Sequence, residues 1–233
     1  MKPIYEPKGK AKEYGDYAIN IYTGCPHECF YCFAPNVLHR KKDVFHSCVE
    51  PRKNIVEEVE KQIARENITG KLIHLCFTCD PYPTGYDSTP TREIIKILKD
   101  SGNNVQILTK GDGSRDFDLL DENDWYGITL STISTVAEPK AKMPLDRFLN
   151  IYKAKKHGIK TWISFEPVIN ENDVLSIIKA HHTVMDKIKI GKLNYHPSDI
   201  DWKHFGKEVE ALCQELGIDY YIKDSLRAEM DKE

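Results

Sequence analysis

Two textures alternate along the 233-residue chain. One is a set of short apolar runs, three to six residues long, at 17–22, 72–77, 105–109, 127–130, 161–165, 187–190 and 220–222. Their length and their content of Val, Ile and aromatic residues predict buried strands. The other texture is apolar residues recurring at intervals of three and four. Ile55, Val56, Val59 and Ile63 form one such set, and Ile94, Ile95 and Leu98 another. Phe148, Ile151 and Tyr152 form a third, and Phe205, Val209, Leu212, Cys213 and Leu216 a fourth. That spacing gathers each set on one side of a helix. Punctuation agrees. Thr89-Pro90 reads as a helix start, and Asn170 caps a first turn carrying Glu171 and Asp173. Ser101-Gly102 and Gly158 stand where helices end.

Strands alternating with helices predict an α/β fold built on a mainly parallel sheet. Six to seven βα units in this length suit a partial TIM barrel with fewer than eight strands. A doubly wound open sheet is the alternative. No internal repeat, low-complexity tract or Gly/Ser linker interrupts the pattern, so a single domain over 1–233 is expected. Both architectures bind ligands at the carboxyl ends of the strands. Those ends are rich in polar groups: Thr78-Cys79-Asp80-Pro81-Tyr82, Thr109-Lys110-Gly111, Leu130-Ser131-Thr132, Ser164-Phe165-Glu166-Pro167 and Gly191-Lys192-Leu193-Asn194.

The first strand runs into Tyr22-Thr23-Gly24-Cys25-Pro26-His27-Glu28-Cys29-Phe30-Tyr31-Cys32. Three thiolates on one loop can hold three irons of a four-iron cluster and leave the fourth open, whereas electron-carrier sites supply four. Gly24 and Pro26 suit a loop that must wrap a bulky cube. Tyr31 puts a flat aromatic face beside it. A competing reading pairs Cys29 and Cys32 with Cys76 and Cys79 around one zinc ion. It leaves Cys25 unexplained, and in a strand positions 76 and 79 would face opposite ways. Disulfides fit poorly with seven cysteines, an odd number, in a chain carrying no mark of secretion.

The loop resembles the cluster motif of the radical S-adenosylmethionine (SAM) superfamily, with gaps of three and two and an aromatic before the third Cys. Thr23 to Pro35 is most similar to the spore photoproduct lyase-like group. The likeness extends over roughly 17–195, through the Asp80-Pro81-Tyr82 turn, Thr109-Lys110 and the Arg115–Leu120 stretch. It implies a (βα)6-type core and a [4Fe-4S] cluster on Cys25, Cys29 and Cys32. It also implies that SAM sits on the open iron and is cleaved by one electron to a 5′-deoxyadenosyl radical that takes hydrogen from a substrate. Carried over, Cys79 and Asp80 border the SAM amino group, Lys110 faces its carboxylate, and Ser131 lies near the ribose or carboxylate. Ser164 and Glu166 are further SAM-binding candidates at the same rim, Glu166 as an acceptor, and Tyr31 with Phe165 or Ile163 can form the adenine wall. In the lyase itself a second-strand Cys returns hydrogen to the product. The equivalent position here is Phe77, and Phe33 follows the last cluster Cys where a Tyr is expected, which argues against thymine photoproduct repair. Cys76 or Cys79 stands as the hydrogen donor instead. The implied partners are SAM, a low-potential electron donor such as flavodoxin or ferredoxin, and an unidentified substrate for which nucleic acid or a nucleotide is one class.

Composition changes this little. Hydrophobic residues make 40% and charged residues 30% of the chain, and the net charge is −3. That is ordinary for a soluble globular protein, and no global positive field marks a nucleic-acid partner. Arg40-Lys41-Lys42 is a short basic run of the kind usually found on a solvated surface. No apolar stretch approaches the ~18 residues of a membrane helix or has the form of a signal peptide, so the cytoplasm is the expected compartment. His74, Cys213, Met143, Met185 and Trp162 read as core, and His27 as a cap of the cysteine loop or a donor to the cluster.

Overall fold

The alternation resolves into one eight-stranded sheet whose order follows the sequence. The computed structural model describes residues 2–232. The strands are β1 Ile4–Tyr5, β2 Tyr17–Ile19, β3 Leu72–Leu75, β4 Asn104–Thr109, β5 Trp125–Thr129, β6 Lys160–Phe165, β7 Lys187–Ile190 and β8 Asp219–Ile222. β1 is antiparallel to β2, and every later neighbour is parallel. The seven parallel strands are the seven apolar runs of the sequence. β1 has two residues, too few to carry a period, and is defined only by its partner. Among the described residues β1 and β8 are the sheet edges, so the barrel is partial.

Among the described residues eight α-helices accompany the strands: α1 Ala34–Val37, α2 Lys42–Ser47, α3 Ile55–Glu66, α4 Thr89–Asp100, α5 Pro144–Lys156, α6 Glu171–His181, α7 Trp202–Leu216 and α8 Asp224–Met230. The caps act as expected at α6, where the Asn170 side chain accepts from Asn172 N and Asp173 N. At α4 the cap position falls on Ser88 rather than Thr89, and Pro90 lies in the first turn. Gly102 and Gly158 adopt φ values of 72° and 77° beyond the ends of α4 and α5.

Alternation along each strand divides the sheet into two faces. Ile73, Leu75, Val105, Ile107, Ile128, Ile163, Phe165, Ile188 and Ile190 lie on the helix-packed face and are wholly buried. Each such side chain contributes about 1.5–3 kcal/mol through burial. The other face lines the barrel lumen with His74, Gln106, Trp162, Ser164 and Lys189, matched in register across β3 to β7. Ile163 and Phe165 therefore point away from the lumen and supply no wall for a ligand there. Met143 is also unlike its expectation. It precedes α5 and is 54% exposed, whereas Met185, Cys213, His74 and Trp162 are buried.

The lumen is filled partly by the chain's own start. A 3-10 turn over Gly9–Tyr14 carries the Tyr14 ring against His74, Phe77 and Trp162. The Tyr14 hydroxyl donates to Glu166 Oε2 at 3.1 Å. Lys223, just after β8, pairs with Glu13 of that turn and with Glu166 at 3.2 Å. These contacts tie the turn to the strands on which the lumen opens.

Candidate active site

The cysteine loop leaves β2 and returns through α1 and α2. Its position is set by backbone pairing: Cys25 N donates to Phe45 O at 3.3 Å, Cys32 N to Cys29 O at 3.1 Å and Phe30 N to Ala137 O at 3.1 Å. Gly24 is demanded by this packing. A Cβ there would lie 2.2 Å from Phe45 O and 2.7 Å from Cys48 O. The His46 Nδ1–H donates to Cys25 O at 2.7 Å, since a carbonyl can only accept. Burial raises the thiols of Cys25, Cys29 and Cys32, with Asp80 adding to the effect at Cys25, so all three hold their protons until a cation replaces them.

His27 is sealed under the loop, 1% exposed. Thr84 N donates to its Nε2 at 3.2 Å, so the ring proton sits on Nδ1, which faces Asp80 Oδ2 at 3.5 Å. Burial keeps this imidazole neutral by pushing it below its ordinary value, against the pull of Asp80. His27 thus joins the loop to the end of β3.

Asp80 is the hub of the next layer. Its Oδ1 accepts from Tyr82 N at 2.8 Å and Thr109 Oγ1 at 2.5 Å, and its Oδ2 accepts from Lys110 N at 2.8 Å. With His27 alongside, the roughly four acceptor positions of the carboxylate are taken. The turn it forms packs so closely on β4 that a Cβ on Gly111 would meet Tyr82 O at 1.8 Å. The Arg115–Leu120 stretch is a clamp on the same turn. Asp116 accepts from the Tyr82 hydroxyl at 3.0 Å and from Arg92 at 2.8 Å, and Arg92 also reaches Asp118.

Above Asp80, Lys110 projects toward the cysteine loop, its Nζ 5.5 Å from the centre of the Tyr31 ring. Among the described residues its ammonium has no ion-pair partner. Burial alone would push it down, but Cys29, Glu138 and Asp80 outweigh that and hold it above the ordinary lysine value. The Tyr31 hydroxyl donates to Glu138 and lies 3.0 Å from Ser131 Oγ. Glu138 accepts in turn from Arg147 Nη2 at 2.5 Å, and Arg147 Nη1 donates to Thr129 O at 2.7 Å. Both members of the Glu138–Arg147 pair are fully buried. Burial would raise Glu138, but Lys110 and Arg147 keep it ionised below the usual range. This chain of contacts holds the Tyr31 ring beside Ser131 and Lys110.

The expected site residues therefore fall into groups. Cys25, Cys29, Cys32, Tyr31, Lys110 and Ser131 come together around the loop. Asp80 adjoins them with its oxygens already engaged. Ser164 and Glu166 lie on the lumen face of β6 and its continuation, with Glu166 held by Tyr14 and Lys223. Cys76 and Cys79 differ from their expectation. β3 ends at Leu75, and Cys76 takes φ 70°, so strand alternation does not hold across the two thiols, and Cys79 lies close enough to add to the upward shift that burial gives the Cys76 thiol. Cys76 is 6% exposed in the apolar core, while Cys79 accepts from Tyr22 N at 3.4 Å. Sequence reasoning missed Glu138 and Arg147. Glu138 lies in a loop without periodicity. Arg147 carried a signal, because it precedes Phe148 on the apolar stripe of α5.

A four-iron cluster can be tested against this donor set. Among the described residues no three His, Cys, Asp or Glu side chains gather closely enough for one metal ion. A cube spreads its thiolates over three different irons and requires wider spacing. Three thiols on one loop, Cys29 buried and Cys25 and Cys32 half-buried, with the Lys110 cation near Cys29, fit such a group. Comparisons with known proteins agree. The Radical SAM superfamily model matches residues 19–179. An uncharacterised protein of the Acidianus two-tailed virus is 29% identical over 194 residues, which are 75% of this chain and 63% of that protein. An uncharacterised protein of Mycobacterium tuberculosis is 32% identical over 103 residues, 41% of this chain and 29% of that one. The chain thus spans less than two thirds of the length of either relative. Spore photoproduct lyase complexed with dinucleoside spore photoproduct shares the fold with a TM-score of 0.69 at 14% identity, covering 93% of this chain and 78% of that one. SuiB of Streptococcus suis, bound to S-adenosylmethionine, shares it with a TM-score of 0.63 at 11% identity, covering 88% and 46%.

Proposed function

Because the chain belongs to the radical SAM superfamily, we propose that it is a radical SAM enzyme with its cofactors on the cysteine loop. When bound, a [4Fe-4S] cluster with one open iron would supply reductive cleavage of SAM to a 5′-deoxyadenosyl radical that abstracts hydrogen from the substrate. Cys25, Cys29 and Cys32 would hold the cluster. The observation that carries the reading is the Lys110 ammonium at the rim near Cys29, which among the described residues makes no direct ion pair, although Glu138 and Asp80 act on it from a distance. It would take the SAM carboxylate in a charge-assisted hydrogen bond. Tyr31, kept in place by Glu138 and Ser131, gives the adenine a flat face. Asp80 acts here by fixing the Cys79–Tyr82 turn and the Lys110 backbone, so that Cys79 and its neighbours border the amino group. Ser164 and Glu166 line the lumen below and face the substrate. The electron comes from a low-potential carrier of the flavodoxin or ferredoxin class.

Cys79 is our candidate hydrogen donor, since the S–H bond is weak and, of the two thiols after this strand, Cys79 is the more exposed, Cys76 being buried. Phe77 packs on His74 at 4.4 Å and offers no such group, which supports a substrate other than a thymine photoproduct. Nucleic acid and nucleotides are the substrate classes proposed by the likeness to the lyase.

Anaerobic reconstitution tests the central reading. The loaded protein is expected to bind about four irons per chain, absorb broadly in the near ultraviolet and release methionine and 5′-deoxyadenosine from SAM on reduction. Alanine at Cys25, Cys29 or Cys32 should abolish both iron binding and cleavage. A colourless protein holding one zinc and leaving SAM intact would replace this reading with that of a non-catalytic metal or redox protein.

A further inference from the structure

At the end of the barrel remote from the cysteine loop, a cavity of about 350 Å³ opens beside the first residues of the strands. Trp125 begins β5 and Lys187 begins β7, and both line it with Tyr14, Gln106, Trp162 and Lys189. Its volume is within the ~300–1,000 Å³ range of small-molecule sites. Lys189 is the unusual member. It is 5% exposed, yet among the described residues its ammonium meets no carboxylate. It donates to Glu13 O at 3.1 Å and lies 3.6 Å from the centre of the Tyr14 ring. The nearest acids are engaged elsewhere: Glu13 and Glu166 with Lys223, and Asp16 with Leu72 N. A buried cation costs several kcal/mol of desolvation unless something compensates it. With one donor on the carbonyl and one over the ring, one of its three donors is left free.

We propose that this cavity is a binding site for a small organic anion with a flat apolar body. The ammonium of Lys189 takes the carboxylate or phosphate, and the indole of Trp162 with the Tyr14 ring flanks the planar part. Glu13 and Asp16 also line the cavity, and their carboxylates are engaged by Lys223 and by Leu72 N. Lys187 balances Asp219 at 2.9 Å, and the exposed Lys12 at the mouth adds a second attraction. The site shares no residue with the cysteine-loop rim and does not depend on the cofactor reading. It also makes a pH prediction. Burial pushes the Lys189 ammonium down to about 8, with Lys223 and Lys187 adding to that and Glu13 and Glu166 opposing it. The other groups facing it do not move into that range. His74 is pushed down to about 3, Tyr221 up to about 12 and Tyr14 well above its ordinary value. Anion affinity should therefore fall as pH rises through about 8.

Tryptophan fluorescence reads the site directly, because two of the three Trp residues line it. The full chain would be titrated with benzoate and with phenyl phosphate, and with benzyl alcohol as the neutral counterpart. The expected result is a saturable change with both anions that is absent with the alcohol and lost above about pH 8. Lys189→Met should weaken it by at least about tenfold, ~1.4 kcal/mol. Removal of an uncompensated buried charge should leave the fold intact, which circular dichroism checks. An equal response to the alcohol, a flat pH profile in the unaltered protein, or unchanged affinity in a folded Lys189→Met variant would each overturn the assignment.

Discussion

Lys110 and Glu138 carry the same lesson from opposite sides. Each is an ionised group inside the rim, but Glu138 has its partners within the chain, in Tyr31 and Arg147, and Lys110 does not. The expected consequence is that Lys110→Met keeps the iron content of reconstituted protein and weakens SAM binding by about tenfold to a hundredfold. That corresponds to about 1.5–3 kcal/mol for one lost charge-assisted contact. Equilibrium binding of SAM measures it, and undiminished affinity would remove Lys110 from the site. At this scale the thiols of the loop were legible from spacing alone, since ligand number and gaps are properties of the chain. Asp80 was legible as a residue of the site but not in its role. A carboxylate reads as a ligand acceptor until its lone pairs are counted, and here Tyr82, Thr109 and Lys110 fill them. Glu138 was invisible because its partner Arg147 is nine residues on, across a loop of no period.

Elements place these side chains through a few contacts that tolerate no added atom. Gly24 lets the cysteine loop approach α2, and Gly111 lets the end of β4 approach the turn after β3. Gly24→Ala is expected to destabilise the protein by about 1–3 kcal/mol, the usual cost of overpacking. The Cβ would press on the backbone carbonyls of Phe45 and Cys48, which cannot retreat without moving α2. Thermal unfolding of the metal-free chain and iron uptake on reconstitution should both suffer, and a variant with native melting and full iron would show that the loop can shift at no cost. Element types and order followed from hydrophobic period. Boundaries did not, and the error at β3 mattered: the apolar run continues to Phe77, but the strand stops at Leu75. Pairing with β2 ends there, and the left-handed turn at Cys76 breaks the alternation that would have sent the Cys76 and Cys79 thiols to opposite faces.

Across the whole molecule, the partial barrel leaves its first and last described strands with one neighbour each, and the opening turn is drawn into the lumen. Lys223 joins Glu13 of the opening turn to Glu166 at the end of β6, with Tyr14 between them. Lys223→Met should cost about 1–3 kcal/mol in chemical denaturation. This is below the ~3–5 kcal/mol of a fully buried pair, because Glu13 and Glu166 keep 18% and 28% of their side-chain surface. Stability equal to that of the unaltered chain would mean the opening turn is held by its apolar contacts alone. The pattern of apolar positions was enough for a mostly parallel α/β sheet, because strand and helix periods are local and burial rewards them wherever they occur. Three cysteines at close spacing were likewise enough to point to the superfamily. Folding in three dimensions decided which charges are neutralised and which stand open. That depends on groups such as Glu13 and Lys223, or Arg147 and Glu138, that meet only when distant segments pack, and no local period records such a meeting.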